Sequence, residues 1–458
     1  MLNKLSILHI TPHLGGGIGS VLLNWLKKDN NNNFHTILSL DKNNNKDWRE
    51  INNQCKYADI HDGCFIRNDI IDFLKINIKQ ADIVIIHFWN HPLLYDVITN
   101  FQWPICRLLL WNHVNGLFPP YTIPEKLFGF VDYFVFTSPV SYECDTVKNL
   151  SDVNKEKISV IWSTVGTEGF EDLEKVPHTG FNVGYVGTAD FGKLNHNFIN
   201  LCSEVNISGI RFIVISGDSQ QHLINEAIEA GIWEKFNFLG CVPRIPNIPH
   251  VLSKIDVFGY PLQPQNFATC EQALGEAMMA GCVPVVLANP PEKHIIKHMK
   301  TGMIANTLDE YPRAIEYLYK NPDHLERISK NARVYARNLY DISKTIDAWN
   351  EIFEKTMKLE KREHAWDIAK DKKYLPFELY IESLGGVDGY GYPFLNYLNA
   401  TDLTSKKGAI SEIQMLFHLN PMFFSKNKGS LMQYFHFFPH DNILKEWENL
   451  IMTEMRKQ

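Results

Sequence analysis

The chain has 458 residues, of which 45% are hydrophobic, 12% aromatic and 21% charged. That length fits two to three domains at roughly 150 residues each, and the composition is that of ordinary globular protein. A net charge of −7 lacks the cationic excess that sequence-blind nucleic-acid binding needs, so no nucleic-acid partner is expected. With 28 Phe, 18 Tyr and 10 Trp to bury, low-complexity disorder is also excluded.

The N-terminus is apolar, but Lys4 and His9 interrupt it and no small-residue cleavage site follows, so it does not read as a signal peptide. The most apolar runs, 83–86 and 108–111, fall far short of the roughly 20 residues a membrane span needs. Eight cysteines are dispersed without a Cys-x-x-Cys pair. They read as reduced thiols in a cytoplasmic protein, a setting compatible with peripheral contact at the inner face of a membrane.

Short Ile/Val-rich runs alternate with amphipathic segments, the pattern of βα repeats around a parallel sheet. Strands are expected near 5–11, 35–40, 82–87, 107–111, 133–137 and 158–161, with helices at 18–28, 69–79 and 141–149. The polar run 30–33 reads as a loop. Gly166, Gly169, Pro177 and Gly180 break the periodicity, which restarts with strands near 182–186, 211–216, 236–239, 256–260 and 283–287. A helical run over 325–357 closes this half, and the charged stretch 355–373 reads as a solvated helix or linker. The expected fold class is therefore α/β: two Rossmann-like, doubly wound domains facing a cleft, over 1–165 and 180–340. A helix is expected at 341–357, and 358–458 is an appended α-rich domain.

Between the first strand and its helix lies Pro12-His13-Leu14-Gly15-Gly16-Gly17-Ile18-Gly19-Ser20. Glycines at such a turn let backbone N–H groups approach an anion, and the helix N-terminus adds its dipole. The spacing Gly15-x-Gly17-x-x-Ser20, with Asp41 after the second strand, also imitates a dinucleotide fingerprint and suggests an NAD(P)-dependent oxidoreductase. Against that, Thr11-Pro12-His13-Leu14 separates strand from glycines, whereas the dinucleotide turn starts at the strand end.

The segment ILHITPHLGGGIGSVLLNWL resembles the first strand, glycine loop and helix of the retaining glycosyltransferases of family 4, which have the two-domain GT-B fold; the resemblance implies that the helix at 341–357 crosses back to pack on the first domain, 1–165. In the second half NVGYVGTADFGKLN, FNFLGCVP and DVFGYPLQPQNFATCEQALGEAMMAGCVPVVL resemble further elements of that family. The resemblance implies that Gly16 and Gly17 face donor phosphates and acceptor, and that Gly187 and Thr188, in the loop after the first strand of the second half, bind the donor. It implies that Lys193 holds the donor diphosphate and that the backbone around Val242 meets the nucleobase. Thr269, Cys270 and Glu271 would lie at the helix start, and Glu276 would bind the ribose. Two positions depart from the family pattern: Thr188 stands where the family has Arg, and Ala268 where it has its first Glu. Glu271 is the candidate to take over part of that role.

His113, in the segment LLLWNHVNG, matches the family's histidine by the donor sugar and, with Glu271, is a candidate catalytic residue. His87, His91 and His113 raise the question of a metal site, but their spacing fixes no shared geometry, and the resemblance implies no bound metal. It implies instead a nucleoside-diphosphate sugar of UDP or GDP type as substrate, no further cofactor, and a glycan, lipid-linked or protein acceptor. The departures at Thr188 and Ala268 motivate an alternative: a GT-B protein that binds nucleotide sugar or glycan without turning it over.

Overall fold

A computed structural model describes residues 4–29, 33–42, 58–190, 192–217, 220–242, 247–366, 372–424 and 428–456. The loop expected at 30–33 lies outside them except for Asn33, as do Cys55, Pro243 and residues 367–371 of the charged stretch. The chain divides into two compact units, Met1–Ile161 with Ile346–Gln458, and Trp162–Thr345.

The first unit is built on β1 (Ser6–Thr11), β2 (Phe34–Ser39), β3 (Ala58–His61), β4 (Ile83–Phe88), β5 (Leu108–Asn112), β6 (Tyr133–Phe136) and β7 (Ile158–Val160). They lie in the order β3-β2-β1-β4-β5-β6-β7, and every pairing is parallel. Buried on both faces, β4 reads IVIIHF and exposes no residue, whereas the edge strand β7 is half-buried throughout. The first helix, Gly16–Asp29, buries Ile18, Val21, Leu22, Trp25, Leu26 and Asp29, one stripe at helical spacing.

The second unit carries β8 (Phe181–Val186), β9 (Ile210–Ile215), β10 (Phe236–Gly240), β11 (Val257–Tyr260), β12 (Val283–Leu287) and β13 (Met303–Ala305), ordered β10-β9-β8-β11-β12-β13 and again all parallel. In both sheets the chain direction reverses beside the first strand, between β1 and β4 and between β8 and β11. Open parallel sheets bind ligands beyond their strand C-termini at such switch points.

Several sequence expectations are corrected. The strands β3, ADIH, and β13, MIA, went unforeseen because neither carries the run of apolar residues that marks the others. The helix expected at 141–149 is a 3-10 turn, Pro139–Glu143, followed by one turn, Asp145–Lys148. The run 325–357 is two helices, Pro322–Leu339 and Ile342–Met357. Between them Thr164 Oγ1 donates to the Tyr340 carbonyl (2.8 Å), and the Asp341 carboxylate accepts from the Ser343 N–H (2.9 Å) and so caps the second helix.

The charged stretch after 357 is exposed at 358–360, 363, 365, 372 and 373, as expected of a solvated segment, but between these positions it docks on the first unit. Arg362 and Cys106 exchange two backbone hydrogen bonds of 3.1 Å, and Arg362 Nε pairs with Asp132. Lys361 Nζ donates to the Ala81 carbonyl (2.9 Å), and buried His364 bonds the Phe130 and Cys106 carbonyls. The segment is thus strapped along the first sheet. The helices that follow belong to the same compact unit as residues 1–161. Tyr374 N–H donates to Asn100 Oδ1 (2.7 Å), Thr122 Oγ1 donates to the Ser383 carbonyl (3.2 Å), and Trp447, Tyr380, Phe394 and Tyr434 form an aromatic core.

Candidate functional site

At the switch point of the second sheet the strands deliver charged side chains. β8 ends at Val186, and Gly187 and Thr188 follow. Gly187 leaves room for the Tyr185 hydroxyl, which a Cβ there would meet at 2.9 Å, and that hydroxyl donates to the Thr188 carbonyl. The loop then turns at Asp190, whose carboxylate accepts from Gly192 N–H (2.6 Å), and presents Lys193. Lys193 is pinned by its own backbone: its carbonyl accepts from Gln263 N–H (2.8 Å), and Leu194 bridges Leu262.

Lys193 Nζ lies 3.0 Å from Glu271 Oε2, with the two side chains only 16% and 5% exposed. Tyr260, the last residue of β11, donates its hydroxyl to the same oxygen, and Lys193 Nζ stands 5.6 Å from its ring. Burial and the Glu271 charge push the Tyr260 hydroxyl well above its ordinary range, so it is a donor at all working pH values. Glu271 precedes the helix Gln272–Met279 with φ 37 and ψ 79, a left-handed conformation that a residue with a Cβ adopts at a cost. The helix buries Glu276 among Leu274, Ala277 and Met278. It packs closely at Gly275, where a Cβ would meet the Tyr340 ring at 2.7 Å.

The loop before the helix is buried at Ala268, Thr269 and Cys270. Asn266 Oδ1 accepts from Ala268 N–H (2.8 Å), and the Cys270 carbonyl accepts from the Tyr340 hydroxyl (2.7 Å). Ala268 brings no charge to this spot. Val242 is half-buried beyond β10, past a left-handed Gly240. One carboxylate here was not foreseen: Glu292, in the helix Pro290–Ile295, is fully buried, and among the other described residues neither of its oxygens has a hydrogen-bond partner. Burial first, and then the Glu271 charge, push its carboxyl up to about 8, so it is protonated at neutral pH. In the sequence it looks like one of many helix acids; only burial marks it.

The first sheet's switch point carries neutral rings. Four residues separate β1 from the helix that starts at Gly16, and Gly16 itself has φ 61. Gly15 N–H donates to His13 Nδ1 (3.0 Å). Gly19 is demanded by a close approach, since a Cβ there would lie 2.0 Å from the Leu14 carbonyl oxygen. Asp41 donates its N–H to the Pro12 carbonyl (2.9 Å), and burial raises its carboxyl. Gly17 is exposed in the first turn.

His113 follows β5, half-buried, and its Nε2 lies 3.1 Å from His87 Nδ1. Desolvation, with Lys428 adding its charge, lowers its pKa to about 3. The question of a shared His87/His91/His113 metal site is answered by a sorting into two groups. His91 caps the helix Pro92–Asn100, accepting from Leu93 N–H (3.2 Å), and its ring meets Trp89, His13 and Phe437 instead. Among the described residues no group of three or more His, Cys, Asp or Glu is placed to hold a metal ion.

The C-terminal helices reach this edge. Lys428 Nζ sits 4.8 Å above the Trp89 ring, and a cavity of roughly 500 Å³ is lined by Met432, Gln433, Phe435, His436, Phe437 and Pro439. In the helix Leu431–Phe437, Tyr434 goes to the core while Phe435 and Phe437 face the cavity. Among the described residues no helix is long and apolar enough to cross a membrane.

With this geometry the fold is GT-B: two Rossmann-like parallel-sheet units, with a helical C-terminal extension. Residues 171–335 match the family model described as glycosyl transferases group 1. That match lies within the second unit.

A Klebsiella pneumoniae protein, described as an uncharacterized 41.2 kDa protein in the cps region, is 26% identical over 234 residues, which is 48% of this chain. The chain covers 61% of that relative's length. Among solved structures, Anabaena HepE in complex with UDP and glucose superposes with a TM-score of 0.61 at 13% identity, over 77% of this chain and 100% of that one. A Rickettsia africae glycosyltransferase gives 0.63 at 15% identity, over 78% and 100%. At these identities the likeness establishes the fold.

Proposed function

We propose that this chain transfers a sugar from a nucleoside-diphosphate sugar to a hydroxyl of a glycan, lipid-linked or protein acceptor. The observation that carries the reading is the Lys193–Glu271–Tyr260 cluster at the second sheet's switch point, inside the segment that matches the group 1 family. A leaving nucleoside diphosphate is multiply anionic, and its charge must be balanced as the glycosidic bond breaks. Lys193, held by one carboxylate, is the ammonium that turns to the diphosphate. The first-turn N–H groups of Gln272–Met279 and the backbone at Gly187 and Thr188 add oriented donors.

Glu276 accepts the ribose hydroxyls, Val242 borders the base, and Thr269 and Cys270 shape the wall. Gly16 and Gly17 serve phosphates and acceptor, and His113 meets the sugar. The chemistry needs positioning and charge balance rather than a protein nucleophile. It proceeds with retention by attack on the face the phosphate leaves, with a phosphate oxygen or a nearby base taking the hydroxyl proton. No metal is called for. The UDP, glucose and UDP-glucose complexes of Anabaena HepE favour a UDP-type donor over GDP.

A thermal-shift screen over UDP, GDP, ADP, CMP and their sugars tests the reading, because a bound nucleotide raises stability by mass action. The expected result is stabilisation by one nucleoside diphosphate, and donor turnover that Lys193→Ala and Glu276→Ala abolish. Binding without turnover would instead favour the non-catalytic reading that buried, uncharged Ala268 motivates. NAD(P) binding dependent on Asp41, with none for nucleoside diphosphates, would replace both.

A further inference from the structure

Four histidines of the first sheet form one unbroken hydrogen-bonded line that starts at a buried carboxylate. Asp29 Oδ2 lies 2.8 Å from His35 Nε2, His35 Nδ1 lies 2.9 Å from His9 Nε2, His9 Nδ1 lies 3.0 Å from His87 Nε2, and His87 Nδ1 lies 3.1 Å from His113 Nε2. The strand register explains the line. His35 pairs with Ile7, His9 with Ile85, and His87 with Trp111. Each histidine is therefore two residues further along than the one on the neighbouring strand. Since side chains two apart share a face, the rings climb one face of the sheet diagonally to its C-terminal edge.

Asp29, His9, His35 and His87 are at most 1% exposed, and Trp25 packs edge-on to both His9 and His35. Only His113 reaches solvent. Apolar residues would fill these positions without needing partners, whereas four imidazoles must each be satisfied.

The line has a polarity. An ionised carboxylate only accepts, so His35 donates Nε2–H to Asp29 and its Nδ1 must accept. His9 then donates Nε2–H to His35, His87 donates Nε2–H to His9, and His113 donates Nε2–H to His87. His113 Nδ1 is left as an acceptor, and it is bonded to none of the described residues. Asp29 sits in the last turn of its helix, where a negative charge opposes the macrodipole. It is held there by the Asn33 side-chain amide (2.9 Å) and His35.

We propose that Asp29–His35–His9–His87–His113 is a polarised proton relay: it fixes His113 neutral with a lone pair on Nδ1, which takes the proton of an acceptor hydroxyl. This rests on the reading of His113 as the histidine that meets the sugar. As Nδ1 gains that proton, His113 Nε2–H passes to His87 Nδ1, His87 Nε2–H to His9 Nδ1, His9 Nε2–H to His35 Nδ1, and His35 Nε2–H to the Asp29 carboxylate. Four ring N–H bonds and the acceptor O–H break, and four ring N–H bonds and the Asp29 O–H form. The four rings end neutral in the opposite tautomer and Asp29 ends protonated. Burial lowers the pKa of His9 and His87 well below the ordinary value and takes that of His113 to about 3, so these three rings do not store the charge. Here His113 is catalytic, and His87, His9, His35 and Asp29 are positioning residues.

The test is ring-nitrogen NMR on the full chain with 15N-labelled histidine, beside UDP thermal shift and donor turnover. In the wild type, His113 should show a protonated Nε2 and a bare Nδ1 from pH 6 to 8, and through-hydrogen-bond 15N–15N couplings should link the four rings. In His87→Phe and in Asp29→Asn, His113 should lose its single tautomer. Their kcat should fall roughly tenfold to a hundredfold while the UDP shift stays within twofold, as for loss of a proton acceptor. A wild-type His113 that is charged or protonated on Nδ1 overturns the relay, as do both variants with wild-type kcat and an unchanged tautomer. Should the wild type neither bind UDP nor turn over a donor, the transferase reading fails while the spectra still decide the relay.

Discussion

Where β1 and β4 part, the first unit gathers uncharged rings: His13, Trp89, His91 and His113, with desolvation taking His13 to about 4 and His113 to about 3. At the equivalent edge of β8 and β11 the second unit gathers ions, Lys193 and Glu271, under a Tyr260 hydroxyl. One strand order thus supports two chemistries. A charged edge suits a leaving group that carries its charge away, and an edge of desolvated, uncharged rings beside the Lys428 ammonium suits a hydroxyl that must give up a proton. The strand order sets where ligands go; the side chains at the strand ends set what is done to them.

The comparison breaks most visibly at Lys193. Lys193→Ala should lower kcat/KM for a nucleotide sugar by roughly a hundredfold to a thousandfold. It should weaken the nucleoside diphosphate far more than the nucleoside, measured by calorimetry on both ligands. Equal losses would remove Lys193 from the phosphates. The variant also strands the buried Glu271 charge, so Lys193→Ala with Glu271→Gln should recover stability but not turnover.

The next largest effect tests whether the second edge is as ionic as it looks. In the folded protein Glu292 holds its proton to about 8, against an ordinary value of 4.5. Between those pH values the unfolded chain has released a proton that the folded chain retains, so stability falls as pH rises. Glu292→Gln removes that slope. Its melting temperature should gain on the wild type from pH 5 to pH 8, by a difference on the order of a few kcal/mol at about 1.4 kcal/mol per pKa unit. Parallel curves for the two proteins would mean that Glu292 is ionised and partnered.

Much of this was legible in the residues. Alternating Ile/Val runs mark eleven of the thirteen strands because a buried parallel strand is apolar on both faces. The glycine loop and the segment holding Lys193, Glu271 and Glu276 were visible as spacing. The short edge strands β3 and β13 were not, nor was the docking of the stretch after 357, where Arg362 finds Asp132 more than 200 residues away. Long-range pairing leaves no local period. The histidine line was hidden for the same reason: His9, His35, His87 and His113 are spread over a hundred residues and meet only through the register of four strands. Glu292 looks like any helix acid until its burial is known.

Gly19 offers a structural probe of the first edge alone. Gly19→Ala places a Cβ against the Leu14 carbonyl, 2.0 Å away in the present backbone, and the loop between β1 and its helix must move. A loss of about 1–3 kcal/mol is expected in thermal melts, with nucleoside diphosphate losing far less affinity than it loses in Lys193→Ala, because Gly16 and Gly17 offer the phosphates only backbone donors whereas Lys193 offers them a charge. A loss of UDP binding as large as that of Lys193→Ala would make the glycine loop the main phosphate holder.

The smallest effect gives the sharpest distinction within the charged edge. Glu276 is 4% exposed on a helix that buries nearly everything around it. A carboxylate in that setting is costly unless a partner satisfies it. If its ligand partner is the ribose diol, Glu276→Gln replaces two charge-assisted hydrogen bonds with weaker neutral ones. The loss should be about 1–2 kcal/mol, roughly tenfold in affinity. A 2′,3′-dideoxynucleoside diphosphate has no diol to lose, so calorimetry should find its affinity the same in both proteins. A uniform loss would mean that Glu276 supports the helix from which Glu271 projects, and the ribose would need another partner.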